Sequence, residues 1–275
     1  MGRQLPDEPG AGRRKRLGGR LANLQDGLRR RLMHIRVIVP VLDSQELVGK
    51  AEAEYRSFAG EGVEISAVPL GRGTNSIEAE FDSALAAPEV MRLAREAEAD
   101  GVDACTIACF TDPGLSGARE LVSIPIVGEG EAALHMAPML SNRFTVFITE
   151  KPLFPLIRRV VARYGLERNL ASVRAAGASV LALDESCLAH IIAESIDAVE
   201  RDGAEAFVMG CTGTGFDMAQ AVEEALHRHF GVSIPVIDPG KVALHFARAM
   251  VATGLKPSKL TYPTPAFARP EYDFA

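Results

Sequence analysis

The chain repeats itself, and the repeat constrains its fold more than any other feature. Ala99-Asp-Gly-Val-Asp-Ala-Cys-Thr-Ile-Ala-Cys109 returns downstream as Arg201-Asp-Gly-Ala-Glu-Ala-Phe-Val-Met-Gly-Cys211. With Asp100 aligned on Asp202, Cys109 falls on Cys211. Each copy opens on a polar Asp-Gly turn, continues as an apolar run of strand length and ends in a cysteine. Beyond each cysteine stands a residue suited to start a helix. One is Asp112, followed by Pro113; the other is Thr214, with Asp217 three positions on. Each cysteine is therefore expected in a short strand-to-helix crossing, just ahead of a helix N-terminus. A second pair of stretches repeats in the same order: Ser123-Ile-Pro-Ile-Val-Gly-Glu-Gly-Glu-Ala-Ala-Leu-His135 and Ser233-Ile-Pro-Val-Ile-Asp-Pro-Gly-Lys-Val-Ala-Leu-His245. Both read as a buried strand, a glycine turn and a helix opening. Two such units predict a pseudo-twofold molecule with two thiols facing one cleft. A lone cysteine is commonly buried and inert. A matched pair at loop positions after parallel strands points to chemistry instead.

The rest of the chain alternates in the same manner. Strands are predicted over 35–41, 63–70, 102–108 and 124–127, with helices over 44–58, 113–121 and 130–140 between and after them. A helical stretch before Glu98 is expected to break at Pro88. The second unit opens at Arg143 with a strand matching the first and closes with a helix over 240–253. Strands and helices at this spacing imply an α/β class: two pseudo-twofold-related lobes, each a mostly parallel sheet flanked by helices. Ligands in such folds bind beyond the carboxyl ends of the strands, where both cysteines fall, so the site is expected between the lobes. The domain reading is a basic, disordered extension over 1–32, a first lobe over 33–122 plus 233–255, a second over 123–232, and a Pro- and aromatic-containing tail over 256–275. The tail is expected along the surface or on a neighbouring subunit.

Composition excludes several functions. A formal net charge of −6 favours no nucleic-acid partner overall, although Arg13-Arg-Lys-Arg16 and Arg29-Arg-Arg31 make the extension basic. No apolar run reaches membrane-spanning length. Four cysteines without metal-ligand spacing suit a reducing cytoplasm, and no metal site is expected. Gly71-Arg-Gly73 lacks the spacing of either nucleotide fingerprint. His227 and His229 lie two apart on a helix and share no face. Cys105 and Cys187 read as structural.

Two like groups on opposite faces of a planar intermediate are the minimal machinery for inverting a carbon acid. One removes the proton and the other returns one. Cysteine suits this work, because a helix N-terminus can lower its pKa toward neutrality. At this point the chain resembles the aspartate/glutamate/hydantoin racemase superfamily, closest to its hydantoin and allantoin racemase branch. The residues that carry the resemblance are Cys109-Phe-Thr-Asp-Pro-Gly-Leu115, the stretch 123–133, Ser76-Ile-Glu with Ala84-Leu-Ala-Ala-Pro88, and Gly210-Cys-Thr-Gly213. It covers about Met33 to about Gly254. The resemblance places the family's catalytic pair on Cys109 and Cys211. It implies cofactor-independent racemisation and two lobes whose fourth strand crosses over. The chain departs from the branch at Val39-Pro-Val-Leu-Asp43-Ser44, at Glu129 and at Thr212-Gly-Thr-Gly215, positions that would line or flank the pocket.

Substrate contacts are expected from Asp43, Ser44, Thr74, Asn75, Ser76, Phe110, Thr212 and Gly213. Thr74, Asn75 and Ser76 equally suit a polar loop that caps the next helix. The expected substrate is a small carbon acid, a 5-substituted hydantoin or allantoin, whose ring proton is flanked by carbonyl and nitrogen. The alternatives are an aspartate- or glutamate-type amino-acid racemase and a non-catalytic binding protein on the same fold. A homo-oligomer is expected.

Overall fold

The computed structural model describes residues 32–42, 45–177, 186–211 and 218–266. The basic extension, apart from Leu32, therefore lies outside the described residues. Two four-stranded parallel sheets form the molecule. The first contains β1 (Met33–Leu42), β2 (Val63–Leu70), β3 (Ala104–Ile107) and β4 (Ile126–Gly128) in the order β2-β1-β3-β4. The second contains β5 (Phe144–Ile148), β6 (Leu170–Ala175), β7 (Ala206–Met209) and β8 (Val236–Ile237) in the order β6-β5-β7-β8. The equal order shows the duplication directly. The helices are α1 (Gln45–Ala59), α2 (Glu80–Ala99), α3 (Leu115–Leu121), α4 (Glu129–Leu140), α5 (Phe154–Arg163), α6 (Ser186–Asp197), α7 (Met218–Phe230) and α8 (Pro239–Thr253). No described helix is long and apolar enough to cross a membrane.

The fourth strand does not cross over. β4 pairs with β3, with Cys105 opposite Ile126 and Thr106 opposite Val127, so it belongs to the first sheet. β8 pairs with β7 in the second. Boundaries at 122/123 and 232/233 would remove each strand from the sheet it pairs with. The reason is burial on both faces. Ile126 packs with Ile38, Ile107 and Leu93 of α2, while Val127 packs with Ile35 and with Leu244 of α8. The helices make the exchange. Ala133, Leu134 and Ala137 of α4 join the second-sheet core with Val146 and Val208. Ala243, Leu244 and Ala247 of α8 return to the first-sheet core with Val37 and Val39. Each lobe thus carries one helix that follows the other lobe's last strand.

Pro88 does not break its helix. α2 runs continuously through it, although an interior proline costs about 3 kcal/mol. Ala86, Val90, Leu93, Ala94 and Ala97 form one buried stripe at helical spacing that packs on Ile38 and Ile107, and that burial outweighs the lost hydrogen bond. The tail, as far as it is described, lies on its own chain. Lys259 Nζ donates to the carbonyls of Arg119, Glu120 and Val122 at 2.8–2.9 Å, closing the C-terminus of α3. Tyr262 lies under the Arg119 guanidinium, 5.6 Å from it.

Candidate active site

The two cysteines are delivered by the same device in each lobe. β3 and β7 are the central neighbours of β1 and β5. Just past β3, the Ala108 N–H donates to Ile38 O at 2.9 Å, and Cys109 N–H then turns back onto Ile107 O at 2.9 Å. That tight turn stops the strand and leaves the Cys109 side chain at its carboxyl edge. Past β7, the Gly210 N–H donates to Phe147 O at 2.5 Å. A Cβ on Gly210 would stand 2.6 Å from that same oxygen, so only glycine lets the chain pass close to β5 before Cys211.

Cys109 and Cys211 line one pocket, about 920 Å³ counted out to its open mouth. Its walls are mostly apolar, with Val41 and Leu47 from the first lobe and Leu153, Leu156 and Ile157 from the second. Asn75, Ser76, Thr111 and Thr149 supply its polar groups beside the thiols. Among the described lining residues none carries a charge. Among the described residues no group of three His, Cys, Asp or Glu side chains could hold a metal ion.

The Cys109 thiol is not lowered toward neutrality. It is pushed up to about 12, chiefly by burial among apolar atoms, while the Thr111 hydroxyl and N–H pull it down and the Asp112 and Glu129 carboxylates push it up. The expected helix N-terminus is displaced: α3 begins only at Leu115, capped by Gly114. In a Cys211→Ser protein, iodoacetamide alkylation of Cys109 should therefore rise roughly tenfold per pH unit from neutrality to about pH 9 without levelling, because only the thiolate reacts. Peptide mass spectrometry reads this directly. A plateau in that range would mean that the empty pocket stabilises the thiolate.

Asp112 was expected to cap the helix that follows it. Instead it has a positive φ of 51° and turns its carboxylate to α4, the helix that packs on the other lobe. Its two oxygens accept from Gly130 N–H at 3.0 Å and Glu131 N–H at 2.7 Å, and Tyr164 of the second lobe donates its hydroxyl at 2.5 Å. Burial pushes the carboxyl up to about 7, against the three hydrogen bonds that favour its charge. Phe110 is almost wholly buried, lines the pocket and packs in the second-sheet core with Leu134 and Val146. The Cys109-Phe-Thr-Asp112 turn therefore ties the lobes together at the pocket. A second buried carboxylate, Glu129, accepts from Tyr55 Oη at 2.7 Å and lies against Gly240 at the start of α8. Two buried carboxylates thus stand at the openings of the two exchanged helices.

Of the residues expected at the site, Cys109, Cys211, Asn75, Ser76 and Phe110 line the pocket. Thr74 does not line it. Its hydroxyl donates to Ser76 O at 2.7 Å and its carbonyl accepts from Leu42 N–H at 2.9 Å, so it shapes the loop that presents Asn75 and Ser76. Asp43, Ser44, Thr212 and Gly213 lie outside the described residues. Thr111 and Thr149 were not anticipated. Thr111 was open to detection as the hydroxyl two positions after Cys109; Thr149 had only its place at the end of a strand matching β1.

The Asp/Glu/hydantoin racemase family model matches residues 35–247. The hydantoin racemase of Rhizobium meliloti is 38% identical over 194 residues, 69% of this chain and 78% of its own length. That of Paenarthrobacter aurescens is 35% identical over 234 residues, 82% of this chain and 94% of its own. The allantoin racemase structure from Klebsiella pneumoniae superposes with a TM-score of 0.80 at 35% identity, covering 88% of this chain and 97% of that one. With both sheets, the pocket at their carboxyl edges and the match across nearly all of both, the chain belongs to the Asp/Glu/hydantoin racemase family and is an isomerase of the racemase kind.

Proposed function

We propose that this protein racemises 5-substituted hydantoins bearing an apolar substituent, by proton transfer between Cys109 and Cys211 with no cofactor. The observation that carries the reading is that both thiols line one largely apolar pocket at the carboxyl edges of the two sheets. One cysteine, as thiolate, removes the proton from the ring carbon beside the carbonyl. The S–H bond forms, and the C–H electron pair passes into the carbonyl as an enolate. The other cysteine, as thiol, then gives its proton to the opposite face, and the enolate collapses to the mirror-image product. A thiol raised by burial is a strong base in the fraction of molecules where it is ionised. At neutral pH it carries its proton and can give it to the more basic enolate carbon, so its two roles follow the direction of reaction.

The ring offers carbonyl and N–H groups that match the Asn75 amide and the Ser76, Thr111 and Thr149 hydroxyls. The substituent would lie on Leu153, Leu156 and Ile157. These walls suit an aliphatic or aromatic group better than the polar ureido group of allantoin. A dicarboxylic amino acid suits them least, because a second carboxylate would be desolvated with no described counter-charge.

Proton exchange in D2O, with each enantiomer of 5-benzylhydantoin, 5-isobutylhydantoin, allantoin, aspartate and glutamate, tests this reading. The apolar hydantoins should exchange and racemise fastest. Faster turnover of allantoin would overturn the substituent assignment. Binding of a hydantoin with no exchange would overturn the assignment of hydantoins as the substrate.

A further inference from the structure

In a racemase that uses two thiols, every turnover leaves the protein altered. The cysteine that began as thiolate ends as thiol, and its partner the reverse. Before the same enantiomer can react again, the protons must be redistributed. The pocket is a poor place for this, because its walls are apolar and product occupies it until release.

A hydroxyl chain leads away from Cys109 to a second cavity. Cys109 Sγ lies 3.2 Å from Thr111 Oγ1, and Thr111 Oγ1 lies 2.6 Å from Ser83 Oγ of α2. In both contacts either atom can donate, so the chain can run in both directions. Thr111 lines the active-site pocket; Ser83 does not. Both line a separate, more polar cavity with Glu80, Asp112 and Arg163. Ser83 and Thr111 are themselves buried, so the chain bridges the two spaces through side chains.

We propose that Thr111 and Ser83 form a proton relay between Cys109 and solvent in the second cavity, and that it resets the thiol pair between turnovers. The inference rests on the two-thiol reading above. In the outward direction the Cys109 S–H bond breaks and its proton passes to Thr111 Oγ1. The Thr111 hydroxyl proton passes to Ser83 Oγ, and the Ser83 proton to a water in the cavity, from which buffer base removes it. Both hydroxyls end as they began and one proton has left Cys109; the Cys211 thiolate takes one from water that enters the open pocket once product has gone, so the pair is restored with no change in oxidation state. The inward direction is the same path reversed.

The test compares wild type, Ser83→Ala, Ser83→Thr and Thr111→Val with a racemised hydantoin. Two quantities are read: the kcat against KM split, and tracer displacement. For the latter, isotopically labelled racemate at equilibrium is challenged with a large excess of one unlabelled enantiomer. If free protein resets quickly, the labelled pool stays racemic. If resetting is slow, the label is driven transiently away from equilibrium. Ser83→Ala and Thr111→Val should show this displacement where wild type and Ser83→Thr do not. In Ser83→Ala kcat and KM should fall together, by about tenfold or more, so that kcat/KM falls far less. A Ser83→Ala protein with wild-type kcat, KM and tracer behaviour would overturn the relay. So would an equal loss of kcat and kcat/KM without tracer displacement, which marks a structural serine. Should Ser83→Ala not fold, the shape-conserving Thr111→Val decides by the same tracer readout. Racemisation that survives Cys109→Ser would sink the two-thiol reading itself, a separate result from either.

Discussion

Cys109→Ser and Cys211→Ser are each expected to lose racemisation by about 10²–10⁴-fold, the range contributed by a positioned acid or base. Serine keeps the shape of the side chain but is a far weaker acid than a thiol. It can neither hold the negative charge needed to take a carbon-bound proton nor readily give its own to the enolate. The apolar walls and the polar groups at Asn75, Ser76 and Thr149 remain, so substrate binding should change little. The informative result is what survives. The variant that keeps a thiol on one face should still exchange the proton of the enantiomer presented to that face, without inverting it. Cys109→Ser and Cys211→Ser should therefore show opposite enantiomer preferences in deuterium incorporation. Racemisation within about threefold of wild type in either variant, against the much larger loss of a true acid or base, would exclude the two-thiol mechanism.

The largest stability effect is expected at the turn that follows the first cysteine. Asp112→Ala should cost about 3 kcal/mol, measured by urea denaturation, because it leaves the buried Gly130 N–H, the Glu131 N–H and the Tyr164 hydroxyl without their acceptor. Gly130→Ala should be at least as damaging, since its Cβ would stand 2.0 Å from Phe110 O. Both should also reduce racemisation, because this junction sets one lobe against the other. The pH dependence has a defined sign. The folded protein raises the Asp112 carboxyl to about 7, above its unfolded value. The resulting stability is fully present below the unfolded pKa and is lost as pH rises through about 7. The advantage of wild type over Asp112→Asn should accordingly be larger at about pH 5 than at about pH 8. An equal difference at both would mean that the carboxylate does not titrate in that window.

Much of the architecture was legible in the residues. Apolar runs of strand length between amphipathic stretches marked the strands, and the duplicated turn named the two cysteines. Two features were misread for one reason. Asp112 before Pro113 has the local grammar of a helix cap, and Pro88 that of a helix breaker. Tertiary contacts overrode both. The N-terminus of α4, which follows β4 directly, comes to Asp112, and the sheet holds α2 through its proline. Thr74 suited either role in the sequence, because nothing local distinguishes a hydroxyl that binds its own loop from one that faces a ligand.

The sequence by itself determined the α/β class, the duplication and the matching of Cys109 with Cys211 in the two copies, because periodicity and repetition are local and visible along the chain. Only the tertiary structure decided that the fourth strands stay in their own sheets while the helices after them change sides. It also brought both thiols to one apolar pocket and joined Cys109 through Thr111 to Ser83. Those outcomes depend on which buried faces find each other and on desolvation at one point in space. Both are properties of residues far apart in the chain, and no local pattern records them.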